Sequence, residues 1–161
     1  MQCSILLRLF FLRTLRKNHL SPDILVNFYR FTMESILTNC ITVWYGSCSA
    51  SDRKVLQRVV KAAQCITGAP LPAIEDIYRK RCLKRAGKII KDSNHPAHRL
   101  FTLLPSGRRY RSLLTKTTRY RSSFFPTAVT LLNSASLHLN NNNGLYPHTH
   151  TNNTWTTVYT V

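Results

Sequence analysis

Acidic residues are scarce in this chain. Six Asp and Glu stand against 23 Lys and Arg in 161 residues, a net charge of +17. Two-metal phosphoryl chemistry needs several carboxylates to hold magnesium, and so small a stock makes such a centre hard to assemble. A G-x-x-x-x-G-K-[ST] loop, a G-x-G-x-x-G turn and an H-x-D pair with a distant His to hold iron are all missing. The chain therefore reads as non-catalytic, with no cofactor, no bound metal and no small-molecule substrate. Long apolar runs are missing too, since none approaches the roughly 18 to 20 residues that cross a bilayer, and no membrane partner is expected. The five cysteines, Cys3, Cys40, Cys48, Cys65 and Cys82, are odd in number and none stands in a C-x-x-C pair. That spacing fits neither a disulfide framework nor a zinc ribbon. Cys40, Cys65 and Cys82 fall on or beside apolar helical faces, where a small buried thiol is expected, and a reducing compartment, nucleus or cytoplasm, follows.

What the chain has in excess is positive charge. A compact state at +17 repels itself unless a polyanion neutralises it, which makes RNA or DNA the leading partner. Two other readings stay open, a solvated basic surface and an acidic protein partner. Fourteen Lys and Arg lie between Arg79 and Arg121, opposed there by Asp92 alone, and beyond Arg121 no Lys, Arg, Asp or Glu occurs. Composition thus divides the chain into a mixed part, a basic part and an uncharged tail.

The mixed part centres on residues 21–68. Ser21 as N-cap, Pro22 at the first helical position and Asp23 in the first turn open a helix expected to run to Gly46. Ile24, Phe28, Phe31 and Ser35, flanked by Leu25, Tyr29, Met33, Ile36, Leu37, Cys40, Ile41 and Trp44, make a broad apolar face that should be buried. Ser51 or Asp52 is expected to cap a second helix. There Val55, Leu56, Val59, Val60, Ala63 and Ile66 line one side, Arg53, Lys54, Arg58 and Lys61 the other, and Gly68 with Pro70 and Pro72 ends it.

Upstream, residues 1–20 read as a truncated amphipathic helix. Ile5, Leu6, Leu9, Leu12 and Leu15 keep helical spacing, thickened by Phe10 and Phe11, with the arginines facing away. Arg8 splits the apolar run, which argues against a secretory signal, and an Arg-rich mitochondrial presequence is a lesser alternative. Downstream, Ala73 to Lys91 reads as a third helix with Glu75 and Asp76 in its first turn and bases through its last two. On it Arg81, Lys84, Arg85 and Lys88 supply a positive stripe, with an ordinary solvated face as the alternative, and Arg79 joins them as an expected nucleic-acid contact.

Residues 93–133 are broken by Pro96, Pro105, Gly107 and Pro126 into an irregular basic extension. His95 and His98 lack further ligands nearby and read as loop imidazoles. Arg108, Arg109, Tyr110 and Arg111, then Arg119, Tyr120 and Arg121, with Phe124 and Phe125, interleave charge and rings. Guanidinium groups can hold phosphates while rings stack on unpaired bases, which suits single-stranded nucleic acid. The alternative is that the rings anchor this segment on the helices while the arginines stay in solvent. Residues 134–161, rich in Asn and Thr, should be disordered. The expected architecture is mostly α: a small bundle of three to four amphipathic helices, its main helical region over 21–92, with a basic irregular extension and a disordered tail.

Two resemblances add to this. FLRTLRK, FYRFTMESILTNCITVWYG, LQRVVKAAQCITG, LPSGRRYRS and RYRSSFFPTAVTLLN, spread over residues 9–133, resemble the region after the polymerase domain in LINE-type, non-LTR retrotransposon reverse transcriptases of fish genomes. The resemblance implies thumb and extension helices that grip template RNA and target DNA, without the Tyr-x-Asp-Asp palm, a Met1 start within the element, and read-through sequence from Ser134. Residues 10–44, with the same FLRTLRK opening and an FYR…ES…W pattern, are similar to the short N-terminal module of AlkB homologue eight. That family joins a 2-oxoglutarate dioxygenase to a tRNA methyltransferase. Neither iron ligands nor a methyl-donor glycine loop is present, so this resemblance implies no activity for any residue here.

Overall fold

The structure is a computed structural model that describes the backbone of residues 2–142 and the side chains of 5–135. Described residues are mostly helical: α1 (Gln2–Lys17), α2 (Pro22–Tyr29), α3 (Ser35–Leu37), α4 (Ile41–Trp44), α5 (Ala50–Thr67), α6 (Ile74–Lys91), α7 (Thr118–Arg121) and α8 (Phe124–Asn142). Helices α1, α2 and α5 pack on one another, while α6 packs on α4, α5 and α8.

Helix α2 opens as its sequence suggests, with Ser21 extended at the N-cap, Pro22 first and Asp23 in the first turn, although the Ser21 hydroxyl makes no capping bond. It does not run to Gly46. A π-turn spans Arg30–Glu34, and the helix stops after Leu37, where Cys40 takes a left-handed conformation with φ of 49°. Thr32, Ser35 and Thr38 each turn a hydroxyl back onto a carbonyl four residues earlier, at 2.6, 2.6 and 2.7 Å. Such back-bonding loosens and bends a helix. The π-turn also sets the buried face. Leu25, Tyr29, Met33 and Leu37 are all buried and all four residues apart. In a pure α-helix each such step overshoots a turn by about 40°, and the wider π-turn pulls the drift back so that one line faces the core. The broad face expected from spacing is accordingly narrower: Ile24, Phe31, Ile36 and Cys40 are exposed.

Helix α5 is capped by Ser49, two or three residues before the expected Ser51 or Asp52. The Ser49 hydroxyl accepts from the Asp52 N–H at 3.2 Å and the Asp52 carboxylate accepts from the Ser49 N–H at 3.2 Å, a reciprocal capping box. Gly68 ends it at φ of 71°, as anticipated. Val60, Ala63 and Ile66 are buried, whereas Val55 is exposed. Two α5 glutamines hold the next connection: Gln57 accepts from the Ile74 N–H at 3.3 Å, and Gln64 donates to Leu71 O at 3.1 Å. Helix α6 then buries Ile74, Tyr78, Cys82, Ala86 and Ile89.

Helix α1 belongs to the same core. Leu9 and Leu12 are buried, while Leu6, Leu7, Phe10 and Phe11 are exposed. Its arginines do not all face away: Arg8 donates to Thr32 O at 2.7 Å, and Arg16 donates to Cys65 O at 2.6 Å and to Ile66 O, closing the carbonyl end of α5. At the other terminus, α8 replaces the expected irregular segment. Pro126 falls in its first turn, where a missing N–H costs nothing, and Phe124, Ala128 and Val129 are buried. The helix passes Ser134 and continues to Asn142. Of the tail expected to be disordered, 134–161, residues 143–161 lie outside the described residues.

Candidate nucleic-acid interface

The basic residues of α6 are not one stripe. Arg79 pairs with Glu75 one turn earlier, through Nη2 at 2.7 Å and Nε at 3.2 Å from Oε1. Arg81 donates to Thr38 O, closing the carbonyl end of α3. Arg85 donates to the Thr42 hydroxyl at 3.0 Å and lies over the Phe124 ring, 4.6 Å from its centroid. Arg81 and Arg85 therefore act as ties between α6, the turn after α3, α4 and α8. Lys84 and Lys88 are exposed.

Residues 102–111 form a tight hairpin-like loop. Leu103 and Tyr110 make an antiparallel bridge, and backbone N–H groups of Leu104, Gly107 and Arg111 donate to Arg109, Leu104 and Thr102, each at 2.8 Å. Gly107 has φ of 67°, the conformation the turn requires of a residue without Cβ. Asn133 of α8 clamps the loop: its Oδ1 accepts from the Tyr110 N–H at 2.8 Å and its Nδ2 donates to Tyr110 O at 3.1 Å. The effect is to present Arg108, Arg109 and Arg111 to solvent from a fixed base.

The rings behave differently from the stacking platform expected of them. Tyr110 packs edge-on against buried Phe101, with centroids 6.4 Å apart, and Phe125 packs on both Phe101 and buried Phe124. These rings anchor the segment on the helices. Of the four expected to stack on bases, only Tyr120, 42% exposed, offers a largely open face. It stands on α7 with Arg119 and Arg121, whose helix is capped by the Thr117 hydroxyl accepting from the Tyr120 N–H at 3.2 Å.

The structure brings Arg79 and Arg121 together, and adds Arg53 of α5, which the sequence reading placed on a polar helix side with no role. All three line one recess with Glu75, Tyr78 and Thr127. Arg53 lies over the Tyr45 ring at 4.9 Å, and Tyr45 in turn packs on Tyr78, centroids 4.8 Å apart. Burial raises the Tyr78 hydroxyl above its ordinary pKa, with Thr127 working against the rise, yet the hydroxyl makes no hydrogen bond of good geometry. Elsewhere in the body burial, and secondly the Glu34 carboxylate, pushes Tyr29 up to about 12. Burial also raises the Cys82 thiol.

The remaining candidates resolve into local roles. His95 Nδ1 accepts from the Ala97 N–H at 3.1 Å, and His98 Nδ1 sits 3.2 Å from Ile89 O, so both imidazoles stitch the turn after α6. Cys82 is buried as expected, but Cys40 and Cys65 are exposed. Among the described residues no group of three His, Cys, Asp or Glu could hold a metal ion, and no helix is long and apolar enough to cross a membrane.

A family model for the N-terminal region of alkylated DNA repair protein alkB homolog 8 matches residues 7–35. The match covers less than a fifth of the chain and takes in most of α1, all of α2 and the π-turn. No curated protein and no solved structure matches. The comparisons thus lend support to the second resemblance and none to the reverse transcriptase one.

Proposed function

We propose that the chain is a non-catalytic accessory module, whose α1–α2 region is similar to the N-terminal region of alkB homolog 8 and whose body contacts RNA or DNA through the phosphate backbone. The observation that carries the second part is the loop that holds Arg108, Arg109 and Arg111 in solvent on a base clamped by Asn133. Lys84, Lys88, Arg119 and Tyr120 extend the exposed set. Arginines that make no contact to bases fix position without reading sequence, so binding carries little sequence preference.

The test is fluorescence anisotropy with a labelled duplex over a range of salt. Contacts to about six phosphates give a slope of log affinity against log salt near −5. A salt-insensitive signal overturns the reading. Single strands gain less from stacking than a ring-rich surface would give, because one exposed tyrosine contributes about 1 to 3 kcal/mol. A reverse transcriptase remnant, suggested by the long resemblance over residues 9–133, would share this surface. Coding sequence upstream of Met1 separates the two: a Tyr-x-Asp-Asp palm in frame supports the remnant, and a dioxygenase or methyltransferase in the same gene supports the accessory module.

A further inference from the structure

Three arginines far apart in sequence share the recess between the N-terminal turns of α5 and α6 and the α7–α8 junction. Its volume is about 270 Å³, below the roughly 300 to 1,000 Å³ of drug-sized sites and ample for a phosphate with water. Arg53, Arg79 and Arg121 face Glu75 there, which leaves a net charge of +2 among the lining residues. Glu75 is committed to Arg79. Arg53 is held in place by the Tyr45 ring, and its contacts to Tyr45 O and Gly46 O are long, 3.4 Å each, while its buried Nε has no partner. The Tyr78 residue is 6% exposed, and its hydroxyl likewise lacks a well-formed hydrogen bond. A recess lined by three guanidinium groups and one carboxylate, with surplus positive charge, suits a compact anion with several acceptor oxygens.

We propose that this recess is a phosphate seat, in which Arg53, Arg79 and Arg121 grip a phosphomonoester or inorganic phosphate. A phosphomonoester carries about −1.5 to −2 at neutral pH, which matches the +2 of the lining. The seat differs from the loop surface in kind: it holds one group at fixed stoichiometry, and it does not depend on the loop binding nucleic acid.

Calorimetric titration of the full chain with inorganic phosphate, at constant ionic strength in chloride, tests it. One saturable site is expected. Arg121→Gln and Arg53→Gln each weaken binding about tenfold, the value of one charge-assisted hydrogen bond. Glu75→Gln tightens it several-fold, a gain that a purely structural role for these residues does not produce. Arg108→Gln leaves it unchanged. Arg121 is exposed on a short helix, so its variant keeps the fold even if Arg53→Gln does not. Displacement of phosphate by a 5′-phosphorylated oligonucleotide but not by its 5′-hydroxyl counterpart assigns the seat to a nucleic acid end; displacement by neither assigns it to free phosphate. Absence of saturation, or Arg121→Gln binding like the parent, overturns the seat. Salt-dependent duplex binding that survives that result leaves the loop surface standing, and saturable phosphate without duplex binding does the reverse.

Discussion

Helix α6 and the loop over residues 102–111 are both dense in arginine, and they use it in opposite ways. On α6, Arg81 is spent on the carbonyl at Thr38, and Arg85 on the Thr42 hydroxyl and the Phe124 ring. On the loop the backbone and the Tyr110 ring do the structural part, and Arg108, Arg109 and Arg111 stay in solvent. What decides between the two uses is what lies within reach. A helix that stops at Leu37 leaves carbonyl lone pairs open, and the Arg81 guanidinium joins the Ile41 N–H on Thr38 O. The loop closes its own hydrogen bonds and asks nothing of its arginines. A count of bases therefore overstates the number available to a polyanion.

The comparison is broken most severely at the seam behind α6. A Cβ on Gly46 would meet Ser122 O and would stand 3.2 Å from the Tyr78 hydroxyl. Gly46→Ala must therefore separate the turn after α4 from the α7–α8 junction. A cost of about 3 kcal/mol is expected for such overpacking, lowering the melting temperature by about 6 to 12 °C in circular dichroism. A shift under about 2 °C would mean the seam yields cheaply.

Alkaline pH should separate body from loop next. The Tyr29 pKa is raised from 10.0 to about 12 in the folded chain. The unfolded chain thus loses this proton first as pH rises, so the contribution to stability is intact below about pH 10 and is lost between 10 and 12. Two pH units correspond to about 2 to 3 kcal/mol. Burial of Tyr78 and Cys82 adds loss of the same sign. Tyr29→Phe should leave stability at pH 7 nearly unchanged, because the buried hydroxyl has no hydrogen-bond partner, and should flatten the alkaline decline. Chemical denaturation at pH 7, 10 and 11.5 measures both; an equal decline in the variant would put the loss elsewhere.

Much of this body is legible in sequence, because caps and periodicity are local. Pro22 with Asp23 marks the start of α2, Gly68 the end of α5, and Glu75 with Asp76 the start of α6. The misreadings come from competition. Cys40 supports no helix break by itself, but Thr32, Ser35 and Thr38 recur at three-residue steps, and their back-bonding was a readable warning against one straight helix. Pro126 reads as a breaker in sequence, yet its place in a first turn permits a helix, and without α8 nothing marks Phe124 as core. The recess was beyond reach of pattern. Arg53, Arg79 and Arg121 meet only through the packing of four elements, and no spacing records that.

Removing the ties of α6 sharpens the contrast at smaller cost. Arg81→Gln deprives Thr38 O of a charge-assisted partner, for about 1 to 2 kcal/mol. Arg85→Gln loses a cation–π contact worth about 0.5 to 1 kcal/mol as well as the Thr42 bond. In each variant the salt slope of duplex binding should change by less than about one unit, since each guanidinium, although its residue is exposed, turns an N–H to a partner within the protein. A full unit lost at unchanged stability would place these two residues on the binding surface after all.

The smallest effect on stability, and the largest on binding, belongs to the loop. In the triple variant Arg108→Gln, Arg109→Gln, Arg111→Gln the bridge from Leu103 to Tyr110 and the Asn133 clamp remain, because both use backbone groups of the loop. Unfolding free energy should therefore stay within about 0.5 kcal/mol of the parent, as for surface substitutions elsewhere. Each phosphate contact removed takes about 0.9 from the salt slope, so three removed together reduce it by up to about three units. All sequences should weaken alike, since phosphate contacts carry no base information directly. Asn133→Ala makes the complementary cut: it leaves every arginine in place and frees the base that holds them. If preorganisation of the loop matters, the variant weakens binding while its slope stays near the parental value. If instead the triple variant keeps the parental slope, the loop is solvated surface and the phosphate contacts lie elsewhere.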